Sequence, residues 1–308
     1  MATQAPICGQ TLTPVRSKPG CGRPGRQAII SDVSRPALHQ DPTPAFDNIL
    51  CGIDDSRPSA EAARQAIALA APGGAVEFVA VGYTVGEGRR AVSSINPDRL
   101  KEALAGASRD ATLAGARATQ KTLSAADPSA ALLEEAPGHD LVAVGSYSGS
   151  RTSGILFGST ASTLAHRAPV PVLIARRPPA AVPFPGGVLV ASDGSPGSTA
   201  AARLAGRVAR ACRSAVTIVH VSDGQTPEMR GELARQTVEL TEITGQEPAF
   251  CDASGDAHVE IPRLAGELES ALLVIGSRGL GGLKALGSVS ERVAHEAPCS
   301  VLLARGPA

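Results

Sequence analysis

The stretch GSTASTLAHRAPVPVLIAR, residues 158–176, returns 129 positions later as GSVSERVAHEAPCSVLLAR, residues 287–305. Gly158-Ser159 meets Gly287-Ser288, Ala165-His166 meets Ala294-His295, Ala168-Pro169 meets Ala297-Pro298, and Ala175-Arg176 meets Ala304-Arg305. Further upstream, Ile49-Leu50 and Asp54-Asp55-Ser56 are echoed by Val188-Leu189 and Asp193-Gly194-Ser195. A repeat of about 130 residues is a duplicated domain rather than a solenoid unit. The chain of 308 residues has room for two domains of the usual ~150. Arg177-Pro178-Pro179-Ala180-Ala181-Val182-Pro183 reads as a short stiff linker between them. The expected domains are 45–177 and 184–306.

Strand and helix patterns alternate in both copies. In the first, strands are expected at Asn48–Ile53, Val76–Val81, Thr119–Leu123, Leu141–Val144 and Val172–Ala175. Helices are expected at Pro58–Ala71, Pro97–Ala118, Pro128–Ala136 and Ser159–His166. In the second, strands fall at Gly187–Ala191, Ala215–Val221, Pro248–Cys251, Ala271–Ile275 and Ser300–Leu303. Ser195 caps a helix that carries Leu204, Val208 and Ala211 on one face and Arg203, Arg207 and Arg210 on another. Pro227 opens a second helix that Gly245 ends. A third, near Asp256–Leu268, is expected to be compromised by Pro262, which cannot donate from inside it. Ser288–Glu296 completes the set. Continuous apolar strands such as Leu141-Val142-Ala143-Val144 fit burial on both faces. The fold class is therefore α/β: two tandem Rossmann-like (flavodoxin-like) parallel-sheet domains of five strands each.

Composition narrows the function. Hydrophobic residues make up 43% of the chain but aromatics only 2%, so the core is built from Ala, Val, Leu and Ile. Lys+Arg and Asp+Glu both number 29, giving no net charge with which to neutralise phosphates along a nucleic acid. So few rings also argue against a single-strand binder that stacks bases. No apolar run reaches the ~18 residues that span a bilayer. The six cysteines, Cys8, Cys21, Cys51, Cys212, Cys251 and Cys299, form no C-x-x-C and no zinc spacing with His. They read as buried reduced thiols in a reducing compartment, the cytoplasm. Residues 1–44 hold seven Pro and four Gly with no periodic apolar pattern, and are expected to be disordered. A partner-binding arm and an early start codon are both open readings of that tail.

In an open parallel sheet, ligands bind beyond the carboxyl ends of the strands where strand order reverses. Three segments converge there in each half. Strand one ends in Ile53-Asp54 or Ser192-Asp193, and strand two in Val81 or Val221. Strand four runs into a Gly- and Ser-rich loop: Gly145, Tyr147, Ser148 and on to Gly158-Ser159-Thr160 in the first half. In the second, Ile275-Gly276, Arg278 and Gly279 lead to Gly287-Ser288-Val289-Ser290. Glycines let backbone approach phosphate, and the amides opening the next helix attract anions through the helix dipole. Arg278 is placed to add charge, an acid after strand one suits a ribose hydroxyl, and strand-two main chain suits an adenine edge. Asp54 and Asp193 read equally as turn residues or helix caps. Tyr147 and Arg278 share a loop slot, as nucleotide contacts or as solvated loop residues.

Both halves resemble the universal stress protein family arranged in tandem, over about residues 46–306. The resemblance implies a five-stranded parallel sheet and, in ATP-binding members, the motif G-x2-G-x9-G-[ST]. The first half keeps Gly145 and, after nine residues, Gly158-Ser159, but has Ser148 for the second Gly. The second half keeps Gly276 and Gly279 with Gly287-Ser288, but its spacer is seven residues. The early Asp is present twice, as Asp54 and Asp193. The resemblance implies a non-enzymatic, ATP-binding regulator of the stress response, with magnesium as an open question and an unidentified regulatory protein as partner. Two alternatives stand beside it: an interaction module with vestigial sites, and a weak ATP hydrolase, although no G-x4-G-K-[ST] is present. In the family the fifth strands pair across a dimer axis. Here the two halves are expected to pair within one chain as a pseudo-dimer, with a homodimer as the alternative. His166 and His295, at equal positions in the last helix of each half, read as helix-end residues rather than a catalytic pair.

Overall fold

The computed structural model describes residues 43–82, 96–146, 158–178, 182–222, 224, 226–277 and 286–305. The first half runs β1 (Asn48–Ile53), α1 (Arg57–Ala70), β2 (Ala75–Gly82), α2 (Pro97–Leu113), β3 (Arg117–Ser124), α3 (Pro128–Glu135), β4 (Leu141–Gly145), α4 (Ser159–Arg167), β5 (Val172–Ala175). The second runs β6 (Val188–Ala191), α5 (Pro196–Cys212), β7 (Val216–Val221), α6 (Pro227–Thr244), β8 (Ala249–Ala253), α7 (Ala257–Glu267), β9 (Leu272–Gly276), α8 (Ser288–Glu296), β10 (Ser300–Ala304). Each half orders its parallel strands 3-2-1-4-5, so strand order reverses next to the first strand of each copy.

The two sheets are one. β5 and β10 pair antiparallel, with Leu173 opposite Leu302, and a ten-stranded sheet results. Those two leucines are repeat equivalents, so a pseudo-two-fold axis passes between them. The pairing removes two exposed edges that would otherwise invite pairing with other chains. Side chains alternate across the sheet. Ile49 and Cys51 enter a core under α1, α2, α5 and α6; Leu50 enters the core on the opposite face, under α3, α4, α7 and α8. Both cores run through both halves. Burial of each Leu, Ile or Val supplies roughly 1.5–3 kcal/mol, which is how a core with few rings holds together.

Two element readings need correction. α2 stops at Leu113 and β3 begins at Arg117, whereas periodicity alone carried the helix to Ala118. The cause is Gly115 at φ +82, the left-handed residue that ends helices. α7 runs unbroken through Pro262. That proline lies in the second turn and removes one hydrogen bond, from its own missing N–H, while Ile261, Leu264 and Ala265 bury against the sheet and hold the helix.

Candidate functional site

The candidate sites lie at the carboxyl edge of the sheet, where β1 and β4 end and α1 and α4 begin, and again where β6 and β9 end and α5 and α8 begin. Gly145 and Gly276, which end β4 and β9, have a packing reason for being glycine. A Cβ on Gly145 would lie 2.5 Å from the Pro58 carbonyl carbon, and one on Gly276 would lie 2.7 Å from that of Gly197. The first turn of α1 or α5 thus crosses directly over the strand end. Ser146 N–H bonds the Ala175 carbonyl at 3.0 Å and Ser277 N–H the Ala304 carbonyl at 2.9 Å, continuing each strand pair into the loop.

Asp54 is exposed, and its Oδ1 accepts from Ser56 N–H at 2.9 Å. Asp193 repeats this with Ser195 N–H at 3.0 Å. Both acids therefore shape the turn that starts the next helix. Ser56 and Ser195 then cap α1 and α5 through the amides of Ser59 and Ser198. The floor differs between halves. Ile53 is buried and apolar, whereas its counterpart Ser192 is buried and polar. Ser192 Oγ donates to Gln236 Oε1 at 2.7 Å, and Gln236 Nε2 donates to Thr199 Oγ1 at 3.0 Å. His220, 1% exposed, places Nδ1 2.7 Å from the Ser192 carbonyl and Nε2 2.9 Å from Ser222 Oγ. Neither His220 nor Gln236 belongs to a local motif; their partners come from elements distant in sequence.

α4 and α8 open at Gly158 and Gly287 in extended backbone, and neither start has a side-chain cap among the described residues. The first-turn amides of Ser159 and Thr160, and of Ser288, Val289 and Ser290, therefore have no carbonyl of their own helix to bond. The expected free amide of Gly287 is a correction: it donates to the Ser277 carbonyl at 2.8 Å, tying the start of α8 to the residue that follows β9. Ser290 Oγ donates to the Gly276 carbonyl at 2.8 Å and ties the helix to the strand end. Val81 and Ile275 are buried, Val221 is half-buried, and Val289 is 45% exposed. The readings on Tyr147, Ser148, Arg278 and Gly279 lie outside the described residues, as does the tail reading on residues 1–42.

His166 and His295 sit in the last turns of α4 and α8. His166 Nδ1 is 2.8 Å from the Ser162 carbonyl, and its Nε2 is 3.5 Å from Glu291 of the other half. Cys51 and Cys299 are buried, Cys212 and Cys251 half-buried. Among the described residues, no group of three or more His, Cys, Asp or Glu could hold a metal ion, and no helix is long and apolar enough to cross a membrane.

A doubly wound sheet duplicated in tandem, with an uncapped last helix and an acidic turn after the first strand in each half, defines a class of α/β proteins with two equivalent candidate sites. The model of the universal stress protein family matches residues 45–176 and again 187–305, and the chain belongs to that family. A universal stress protein of Mycobacterium tuberculosis is 31% identical over 237 residues, covering 71% of this chain and 77% of the relative. One from Thermus aquaticus is 33% identical over 135 residues, covering 38% of this chain and 97% of its own length. A solved universal stress protein of Archaeoglobus fulgidus superposes with a TM-score of 0.63 at 20% identity, over 85% of this chain and 97% of that one.

Proposed function

We propose that the chain is an adenine-nucleotide-binding regulator of the stress response that takes ATP into one or both crevices without turning it over. The observation that carries this reading is the pair of uncapped helix starts, at Ser159-Thr160 and Ser288-Val289-Ser290, at the sheet edge where strand order reverses. Phosphate oxygens would accept from those amides, with the helix dipole favouring the charge. Asp54 Oδ1 and Asp193 Oδ1 are taken by turn amides, so a ribose hydroxyl would use the second carboxylate oxygen. Adenine would lie against the ends of β2 and β7, at Val81 and Val221. Magnesium, if it accompanies ATP, would be held by the phosphates, because the described residues supply no carboxylate cluster for it.

Mass spectrometry of small molecules released from the purified protein tests the proposal, and near-stoichiometric adenine nucleotide is the expected result. For protein stripped of ligand, ATP at a hundred times its Kd stabilises by about 2.7 kcal/mol, a shift that a thermal melt resolves. EDTA in a parallel sample reads the contribution of magnesium. No released nucleotide, together with an unchanged melt at millimolar ATP, ADP and AMP, refutes the reading.

An interaction module with vestigial sites is favoured by one observation. Gly145 and Gly276 are already explained by the helices that cross them, and both aspartates by their turns.

A further inference from the structure

The arginine that ends each repeat reaches into the other half. Arg176, just after β5, sends Nη2 to the Ala294 carbonyl at 2.6 Å and the His295 carbonyl at 3.5 Å, and Nη1 to the Cys299 carbonyl at 3.2 Å. Arg305, just after β10, sends Nη2 to the Ala165 carbonyl at 2.8 Å and the Leu164 carbonyl at 3.0 Å, and Nε to the Val170 carbonyl at 3.4 Å. Ala165 and Ala294 are repeat equivalents, as are Val170 and Cys299, so the two contacts are copies related by the pseudo-two-fold axis. Each guanidinium meets carbonyls in or just past the last turn of a helix, where a positive charge complements the dipole; among them, Ala165 and Ala294 stand four residues before Pro169 and Pro298, which have no N–H to offer them.

Arg176 is held firmly. It is 9% exposed; its N–H donates to Ser300 Oγ at 2.9 Å, and its carbonyl accepts from Gln65 Nε2 at 2.7 Å. Ser300 Oγ also lies 2.8 Å from Gln65 Oε1, which joins α1 of one half to β10 of the other. The helices capped this way are α8 and α4, whose opposite ends form the candidate phosphate sites. Each has nine residues, so a change at one end is felt within about two turns at the other.

We propose that Arg176 and Arg305 are positioning residues that act in trans: Arg176 of the first half sets the second half's anion site, and Arg305 of the second half sets the first half's. The ligand-binding part of this inference rests on the nucleotide reading above; the helix-positioning part does not.

The test uses the full chain with Arg176→Met and Arg305→Met, which keep an apolar stem and remove the donors. Hydrogen exchange without ligand is the first readout. Arg176→Met is expected to speed amide exchange in α8 about tenfold, equivalent to ~1.4 kcal/mol of lost protection, and to leave α4 unchanged. Arg305→Met is expected to do the reverse. The second readout is photolabelling with 8-azido-ATP, with labelled peptides assigned to each half. Arg176→Met should raise the concentration for half-labelling of the second half about tenfold and leave the first half alone, and Arg305→Met the opposite. Arg176→Lys, which restores the charge but with its donors on a single nitrogen, should recover part of both effects. It also stands in if Arg176→Met fails to fold, in which case partial loss confined to the second half is the supporting result.

Loss in the same half as the substitution, or equal loss in both halves, overturns the inference. If the unsubstituted protein takes no label, the nucleotide reading fails and the exchange pattern alone decides the helix-positioning claim. If exchange follows the crossed pattern but labelling of a half that binds the probe does not, the arginines brace the fold and the claim on the sites is lost.

Discussion

Gly145→Ala puts the tight crossing at the crevice to the test. The added Cβ would sit 2.5 Å from the Pro58 carbonyl carbon, 2.6 Å from its oxygen and 2.8 Å from its Cβ. The first two atoms are backbone, so no rotamer change relieves the clash; the first turn of α1 must lift off the end of β4. Overpacking of this kind costs about 1–3 kcal/mol. Glycine replacement returns about 0.4–1 kcal/mol by restricting the unfolded chain, because Gly145 does not occupy the left-handed region. The net expectation is a loss of roughly 1–2 kcal/mol. For a folded region of this size, a loss of 1 kcal/mol lowers Tm by about 2–4 °C, so the melt should fall by about 2–8 °C. Gly106→Ala in α2 is the matched control. Its added Cβ has nothing nearer than the Arg109 guanidinium at 3.9 Å, and alanine for glycine in a helix gains about 1 kcal/mol. The two variants should therefore move Tm in opposite directions in the same scanning-calorimetry series. If Gly145→Ala melts as high as Gly106→Ala, the crossing is loose, and the structural account of the strand-end glycines fails with it.

Three further outcomes are expected. Asp193→Ala removes the acceptor for Ser195 N–H and should lower unfolding free energy by about 1 kcal/mol in a urea titration, while Asp193→Asn, which keeps an acceptor, recovers most of it; equal losses would refute the turn role. Burial, then Arg176 and His166, hold the His295 imidazole below its ordinary pKa against the opposing Glu291 and Glu296. The unfolded chain therefore takes up this proton first, and the stability present above the unfolded value of about 6.5 is lost as pH falls below it. Tm should drop between pH 7 and 5 by less in His295→Gln than in the unsubstituted protein, and an unchanged drop would dismiss His295 as a source. Burial also pushes the Cys51 thiol far up and the Cys299 thiol up to about 11, the latter against a lowering by Arg176. Iodoacetamide at pH 8 should leave both unmodified in the native protein and alkylate both in urea, as read by peptide mapping.

What sequence could and could not carry follows from the range of the signal. The duplication, the strands and the acidic turns depend on local pattern, and residues 158–176 and 287–305 display it twice. The end of α2 was equally local: Gly115 follows the last helical turn, but a periodicity reading runs past it to Ala118. Pro262 shows the opposite error, a correct local penalty overridden by burial of Ile261, Leu264 and Ala265. The floor of the second crevice lay beyond any local rule. Ser192 follows β6, His220 lies in β7 and Gln236 in α6, and only the packed sheet brings their polar atoms within 3 Å of one another's chain or of Ser222. Arg176 and Arg305 are the most instructive case. Their recurrence at the repeat's last position was visible, yet a repeat alignment pairs a residue with its copy, never with its contact. The contact exists because β5 and β10 run antiparallel, which turns each chain end toward the other half's last helix. Symmetry of that kind makes a repeated surface-type residue at a domain end evidence for a buried junction. Arg176, at 9% exposed, meets that expectation where composition alone would have placed it in solvent.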